Sequence, residues 1–133
     1  MGLTRVYNYV VIRGRPYLMI PVTIRARYKA KLYALVDSGA VISLFHNQVA
    51  DDVGIDLSSC RREYLAGIGG YVPAYIVNNV LVEIEGLREI RIPIAFTECI
   101  SSDLAILGRK GFFEKFKIVF REWRKELELR IID

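Results

Sequence analysis

The residues best suited to chemistry lie in segment 31–40, where an apolar run ends in Asp37, Ser38 and Gly39. An ionised carboxylate is costly to bury without partners, so an acid at the end of such a run needs a reason. One reason is structural, because Asp, Ser and Gly are common turn residues. The other is chemical, because a glycine beside the acid lets a ligand or another backbone approach the carboxylate. Taken alone, the three residues favour the turn, and the rest of the chain decides between the two.

The composition favours one domain built mainly of strands. The 133 residues are enough for a single domain over 1–133 with one sizeable core. Abundant Val and Ile, with eight Tyr and six Phe, favour strands over helices. The sequence shows no membrane-spanning apolar run and no apolar signal segment, so we expect a cytoplasmic protein without membrane contact. Cys60 and Cys99 have no metal-ligand spacing and are expected to be reduced, with a disulfide left open.

Runs of alternating or continuous apolar residues predict strands over 3–12, 17–27, 32–36, 74–77, 80–84, 90–96, 104–107, 117–120 and 126–132. The first two strands are expected to pair as a hairpin. Two short helices are predicted, one over 46–53 that ends at Gly54 and one over 109–116. In the second helix Phe112, Phe113 and Phe116 have helical spacing and are expected in the core. The pattern predicts an all-β domain with a closed or sandwiched sheet and two small helices.

A glycine-rich segment, residues 66–72, lies between two runs with strand character. Gly67, Gly69 and Gly70 tolerate positive φ angles and allow hinge-like motion, so a hairpin tip is the plain interpretation. The Lys-Ser or Lys-Thr pair of a phosphate-binding loop does not follow these glycines.

Other polar clusters favour ordinary structural roles. Ser43, His46 and Asp37 invite comparison with a catalytic triad, but nothing in the sequence suggests a nucleophile elbow. The acidic residues at 51, 52 and 56 have no metal-ligand spacing and fit a solvated helix face. The basic residues at 25, 27, 29 and 31 alternate along a strand and turn, where a solvated face is the default and a nucleic-acid patch the minority alternative.

Three features occur in a fixed order along the chain. An apolar strand ends in Asp37-Ser38-Gly39-Ala40, a glycine-rich tip follows, and apolar 104–107 later meets Gly108. This order over residues 32–120 resembles the retroviral-type aspartic proteases (retropepsins). It looks closest to their cellular relatives, namely the protease-like domain of the DNA-damage-inducible proteins and the small archaeal single-domain enzymes. The resemblance implies a closed β-barrel-like acid protease fold with one or two short helices, a homodimer, a polypeptide substrate and no metal or cofactor.

The same resemblance implies a role for each matching residue. Asp37 is the implied catalytic aspartate, with its loop supported by Ser38, Gly39 and Ala40, while Gly108 and Arg109 pack behind that loop. The implied substrate-binding flap comprises Gly67, Ile68, Gly69, Gly70 and Tyr71. The chain departs from the retroviral members after Ala40, where those proteins carry an acid that pairs with the late arginine. Here Val41 and Ile42 follow, so Arg109 must find another partner or be exposed.

Peptide hydrolysis needs one group to deprotonate water and another to protonate the carbonyl oxygen or the leaving amine. Two adjacent carboxylates that share one proton perform both tasks. The chain has a single Asp-Ser-Gly, so it supplies half of such a pair and predicts a symmetric dimer. The strand over 126–132 is expected to add a second dimer contact, because its face with Leu127, Leu129 and Ile131 needs cover.

We therefore expect a homodimeric aspartic endopeptidase. A catalytically inactive module that keeps the fold to dimerise or bind peptides is the main alternative, kept open by apolar Val41. A basic β-domain that binds nucleic acid is a weaker one.

Overall fold

The computed structural model describes residues 3–67 and 69–132. Within these residues it has twelve strands, one α-helix and two short 3-10 turns. The strands are β1 (Thr4–Asn8), β2 (Val10–Ile12), β3 (Arg15–Tyr17), β4 (Met19–Arg25), β5 (Lys29–Val36), β6 (Ser43–His46), β7 (Arg61–Gly67), β8 (Gly70–Ile84), β9 (Arg88–Thr97), β10 (Ala105–Leu107), β11 (Phe116–Arg121) and β12 (Glu126–Ile131). The helix is α1 (Asn47–Val53), and the 3-10 turns cover Phe113–Lys115 and Glu122–Arg124. The predicted all-β class is confirmed.

The main sheet has seven strands in the order β4-β5-β10-β6-β9-β8-β7, and β4 also pairs with β8. Six strands, β4, β5, β10, β6, β9 and β8, are therefore joined by hydrogen bonds into a closed ring. Strand β7 lies outside this ring and pairs with β8. Alternation of side chains along each strand turns one face of the ring towards the core, as in β4, where Ile20, Val22 and Ile24 are fully buried. These residues belong to one large core cluster that also contains Phe45, Phe96 and other apolar residues.

A second sheet of three strands, in the order β1-β12-β11, joins the two ends of the chain. This sheet overturns the expected role of the last strand in a dimer contact. Leu127 and Leu129 are fully buried and Ile131 is nearly so, all within the core of the same chain. The sequence pattern was sufficient to show that this face needs cover, but β12 is a central strand whose apolar face the protomer covers itself.

The first two predicted strands are each divided. Residues 3–12 form β1 and β2, while residues 17–27 contribute to β3 and all of β4. The expected hairpin exists only as the short pair β2–β3, because β1 pairs with β12 instead. In contrast, 74–77 and 80–84 belong to the single long strand β8. Its pairing with β9 shifts between Val77 and Val80, and Asn79 there has a positive φ of 64°. This geometry is that of a β-bulge, which bends a strand without ending it.

The prediction of the first helix is correct and that of the second is wrong. Helix α1 ends at Gly54, whose left-handed φ of 83° makes it a C-cap. Segment 109–116 contains only a 3-10 turn, because Gly111 has a left-handed φ of 87° that interrupts a helix. The two residues before Gly111 are hydrogen-bonded to the loop that follows Asp37. Phe112 and Phe116 are nonetheless buried in the core with ring centroids 5.2 Å apart, as expected. Phe113 is only half-buried and packs against that core.

Candidate active site

Asp37 lies directly after β5, at the point where that strand leaves the sheet. Its backbone N–H donates to the carbonyl oxygen of Leu107 at 3.0 Å, so the parallel neighbour β10 fixes where the loop begins. The Gly39 N–H donates to Oδ1 of Asp37 at 2.9 Å, and the Ala40 N–H donates to the Asp37 carbonyl at 3.2 Å. Asp37 is half-buried while Ser38 and Gly39 are exposed. The carboxylate is thus oriented by its own turn and remains accessible from outside the protomer.

The loop that begins with Asp37 rests on the segment after β10. The N–H groups of Arg109 and Lys110 donate to the carbonyl oxygens of Ala40 and Val41, both at 2.8 Å. Gly108 packs so closely beneath this contact that a Cβ there would lie 2.5 Å from the carbonyl carbon of Ile42. A side chain at residue 108 would therefore force this contact to shift, because real Cβ atoms do not approach backbone atoms so closely. The structure thus brings together the two segments that the sequence analysis paired.

The Arg109 side chain is exposed. Among the ion pairs of the described residues, none involves Arg109. Its backbone contributes the hydrogen bond to Ala40, so at this position the main chain holds the loop where the resemblance to retroviral members would imply a side-chain ion pair. Val41 is exposed as well, at 64% of its surface.

Ser43 and His46 do not form a triad with Asp37. The Ser43 hydroxyl is fully buried and accepts a hydrogen bond from the Gly108 N–H at 3.0 Å. His46 is the N-cap of α1, where its Nδ1 accepts from the Gln48 N–H at 2.9 Å. Ser43 therefore supports the loop from behind. This role of Ser43 was not predicted from the sequence, although a polar residue within an apolar strand could have indicated it.

Three apolar side chains form a surface beside Asp37 that the sequence analysis did not single out. Ile106 of β10 pairs with Leu35 of β5 on one side and with Leu44 of β6 on the other. Side chains two residues apart share a face of a strand, so Asp37 lies on the same side as Leu35. We call Leu35, Leu44 and Ile106 the floor. The three are half-buried, whereas their strand neighbours on the other face are buried in the core.

The hairpin β7–β8 carries the glycine-rich segment at its tip, where Gly67 pairs with Gly70. Gly70 has a φ of 120°, and Gly69 has open space around it. Tyr71 is exposed, and Ile68 lies outside the described residues. At the base of the hairpin, Ala74 and Ile76 pack with Ile42 and Ala95 in a second core cluster, against which Leu44 and Leu65 also lie. The hairpin therefore begins beside the floor.

Other predicted features lie elsewhere. Basic residues of 25–31 are in part paired with acids, Arg25 with Glu83 at 3.3 Å and Lys31 with Glu85 at 2.6 Å. The Glu85 carboxylate, through its hydrogen bond and charge, raises the pKa of Lys31. Across the described chain, no cluster of three or more His, Cys, Asp or Glu side chains could hold a metal ion. Cys60 and Cys99 are free thiols.

The closed ring of strands, the accessible aspartate after β5, the close-packed glycine after β10 and the glycine-tipped hairpin agree with the resemblance of the sequence to the retropepsin-like aspartic proteases. The family model described as "Aspartyl protease" matches residues 20–110. The chain belongs to this family.

A solved structure supports the fold. The crystal structure of a retropepsin-like aspartic protease from Rickettsia conorii aligns with a TM-score of 0.67 and 20% identity, covering 98% of this chain and 94% of that one. No curated protein matches the chain in sequence. The predicted family is confirmed, while its closer likeness to archaeal members has no support among these findings. Where the structure is described, no helix is long and apolar enough to span a membrane.

Proposed function

We propose that the chain is an aspartic endopeptidase that works as a symmetric homodimer, with Asp37 of each protomer at the shared site. The observation that carries the proposal is the position of Asp37, which lies directly after β5, is half-buried and accepts a hydrogen bond from the Gly39 N–H. The protomer brings one such carboxylate, and its partner is expected to bring the second. Family membership supports the class of reaction.

The chemistry follows from two carboxyl groups that share one proton. The ionised Asp37 takes a proton from a water molecule, whose oxygen attacks the carbonyl carbon of the scissile peptide bond. The Asp37 of the other protomer, which carries the shared proton, gives that proton to the carbonyl oxygen, and a tetrahedral diol results. Collapse of this diol breaks the C–N bond while a proton passes to the leaving amine. Each step uses only the two side chains and water.

The surroundings of Asp37 are suited to a peptide in an extended conformation. Leu35, Leu44 and Ile106 offer an apolar floor, which favours substrates with apolar side chains next to the scissile bond. Hairpin β7–β8 is suited to closing over that peptide, since closure would exclude water and add backbone contacts. In this proposal Gly67, Gly69, Gly70 and Tyr71 belong to the flap, as does Ile68 at its tip.

The exchange Asp37→Asn tests the proposal, because Asn is nearly isosteric and cannot share a proton as a carboxyl pair does. We expect cleavage of a denatured protein substrate, assayed from acid to neutral pH, to fall at least about a thousandfold. Ser38→Ala is the matched control in the same exposed loop, with a much smaller loss expected. Circular dichroism should show that both variants are folded. Undiminished cleavage by Asp37→Asn would refute the assignment, and a folded wild type without cleavage would favour the inactive peptide-binding module.

A further inference from the structure

We infer that the short hairpin β2–β3 and the turn that carries Trp123 form one surface that docks a second copy of this chain. This inference rests on the proposed function, because it names the contact that would bring the two Asp37 residues together. We call residues 10–17 the arm. The arm and Trp123 belong neither to the loop of Asp37 nor to hairpin β7–β8.

The arm is a sheet of its own with only three residue pairs, Val10 with Tyr17, Val11 with Pro16, and Ile12 with Arg15. All of these residues except Val10, which is half-buried, are exposed. Val11 exposes 67% of its surface and Ile12 44%. An isolated two-stranded hairpin is marginally stable in water unless something packs against it. Several apolar side chains of the arm are therefore left without cover by residues 3–67 and 69–132 of the protomer, and a second protein surface would supply that cover.

Trp123 is the second and independent observation. It lies in the 3-10 turn Glu122–Arg124 between β11 and β12 and exposes 78% of its surface. The chain has no other tryptophan. Tryptophan is among the residues most enriched at the energetic centres of protein interfaces, because it covers a large apolar area with few rotatable bonds. A side chain of this size so fully in solvent indicates a docking surface.

Backbone hydrogen bonds connect these two features and lead to Asp37. The Tyr9 N–H, just before the arm, donates to the Lys125 carbonyl at 2.8 Å. The Leu18 carbonyl, just after the arm, accepts from the Val36 N–H at 2.8 Å, one residue before Asp37. The register of the arm makes Tyr9 and Leu18 the next opposed pair. With neighbouring strands about 5 Å apart, Lys125 lies within roughly 15 Å of Val36.

The Tyr9 hydroxyl adds a side-chain contact at the base of the arm, donating to Oε1 of Glu122 at 3.2 Å. Tyr9 itself is buried, so the arm and the Trp123 turn are held in a fixed relation to each other. The base of the arm therefore lies between the start of the Asp37 loop and the Trp123 turn. A second copy is the occupant favoured by this location, because a two-carboxylate site requires that copy beside Asp37 and the arm emerges one residue away.

The single tryptophan supplies the test. Trp123 emission and sedimentation velocity should be measured on the whole chain from nanomolar to tens of micromolar concentration, without substrate. We expect a blue shift of the emission, because Trp123 leaves water, with the same midpoint as the monomer-to-dimer transition. Trp123→Ala and Val11→Asp should each raise the dimer dissociation constant at least about tenfold. Tyr28→Ala is the matched control, since Tyr28 is an exposed aromatic residue in the turn at the opposite end of β5.

Circular dichroism and thermal unfolding should show that the variants are folded, because exposed positions tolerate such exchanges. A dimer that forms with the expected blue shift supports the surface even if no peptide is cleaved, in which case the proposed function fails alone. A different outcome would overturn the docking surface but not the proposed function. In that outcome the dimer cleaves peptides, Trp123 emission stays constant, and neither exchange changes the dimer dissociation constant. A chain that is monomeric at every concentration, or a Trp123 that responds only to added peptide, also overturns the docking surface.

Discussion

Gly108 lies against the carbonyl group of Ile42, and a Cβ at residue 108 would be 2.5 Å from both its carbon and its oxygen. The same glycine donates its N–H to the buried hydroxyl of Ser43. This contact joins the segment after β10 to the segment that follows Asp37. The geometry of the candidate site thus depends on a residue remote from Asp37 in sequence that has no side chain.

Gly108→Ala should therefore move the Asp37 loop and destabilise the protein. Overpacking of a closely packed site costs about 1–3 kcal/mol, and we expect a free energy of unfolding lower by about that amount. Chemical denaturation measures the change, and peptide cleavage should fall further than the lost stability explains. Gly69→Ala is the control for stability, because nothing lies within 4 Å of a Cβ there. Equal stability of the two variants would show that the loop adjusts without cost.

Gly70 is the glycine of the hairpin tip that needs its conformational freedom. Gly69 and Gly70 are equivalent in the sequence pattern, but only Gly70 of these two has a φ in the left-handed range, 120°. Gly70→Val should cost about 1–3 kcal/mol of backbone strain at the tip. If the hairpin is the flap, kcat/KM should fall more than stability does, and Gly69→Val should affect both less. Steady-state kinetics beside thermal unfolding makes the comparison, and unchanged turnover in Gly70→Val would argue against a flap.

Leu129 reports on the core of the protomer. Because it is fully buried in β12 between β1 and β11, Leu129→Ala should lower the free energy of unfolding by about 2–5 kcal/mol. Val6→Ala on the exposed side of β1 should change it by no more than about 0.5 kcal/mol. Denaturation by urea measures both. A stable, monomeric Leu129→Arg variant would instead restore the last strand as a dimer contact.

Tyr7 should make the protein sensitive to alkaline pH. Burial raises the pKa of its hydroxyl from 10.0 to about 12, and this hydroxyl donates to the Glu85 carbonyl at 2.6 Å. Between these values the folded state keeps a proton that the unfolded state has lost. The stabilisation is complete below about pH 10 and disappears as the pH rises towards 12.

Tyr7→Phe should therefore show a shallower loss of stability than the wild type over that interval. Urea denaturation at a series of alkaline pH values measures this slope. Tyr28→Phe is the control, because Tyr28 is exposed, and it should follow the wild type. A slope in Tyr7→Phe as steep as in the wild type would contradict the prediction.

Much of the fold could be predicted because it depends on local patterns. Alternation of apolar and polar residues marked β4, β9 and β12, since a strand with one buried face must repeat every two residues. Gly54 marked the end of α1, since a left-handed C-cap favours glycine. Which strands pair with each other could not be predicted from local patterns. The pattern of β12 shows that one face is buried but does not show which surface buries it, and β1, from the other end of the chain, is one of its neighbours.

The predicted helix over 109–116 failed for a related reason. Its aromatic spacing is compatible with a helix, but Gly111 has a left-handed φ of 87°, and the N–H groups of Arg109 and Lys110 hold the residues before it against the loop of Asp37. A long-range contact therefore prevailed over a local preference. The two views agree on Phe112 and Phe116, which are buried in either conformation.

By itself the sequence determined the family, the all-β class and the position of the one acid that stands at the end of an apolar strand before a glycine. Those properties depend on residue types at short spacing. Only the tertiary structure decided which residues surround that acid. Leu35, Leu44 and Ile106 come together because β5, β10 and β6 are neighbours, and Ser43 faces Gly108 because the ring closes. Contacts between distant segments depend on strand order and register, which the free energy of the whole packed core selects.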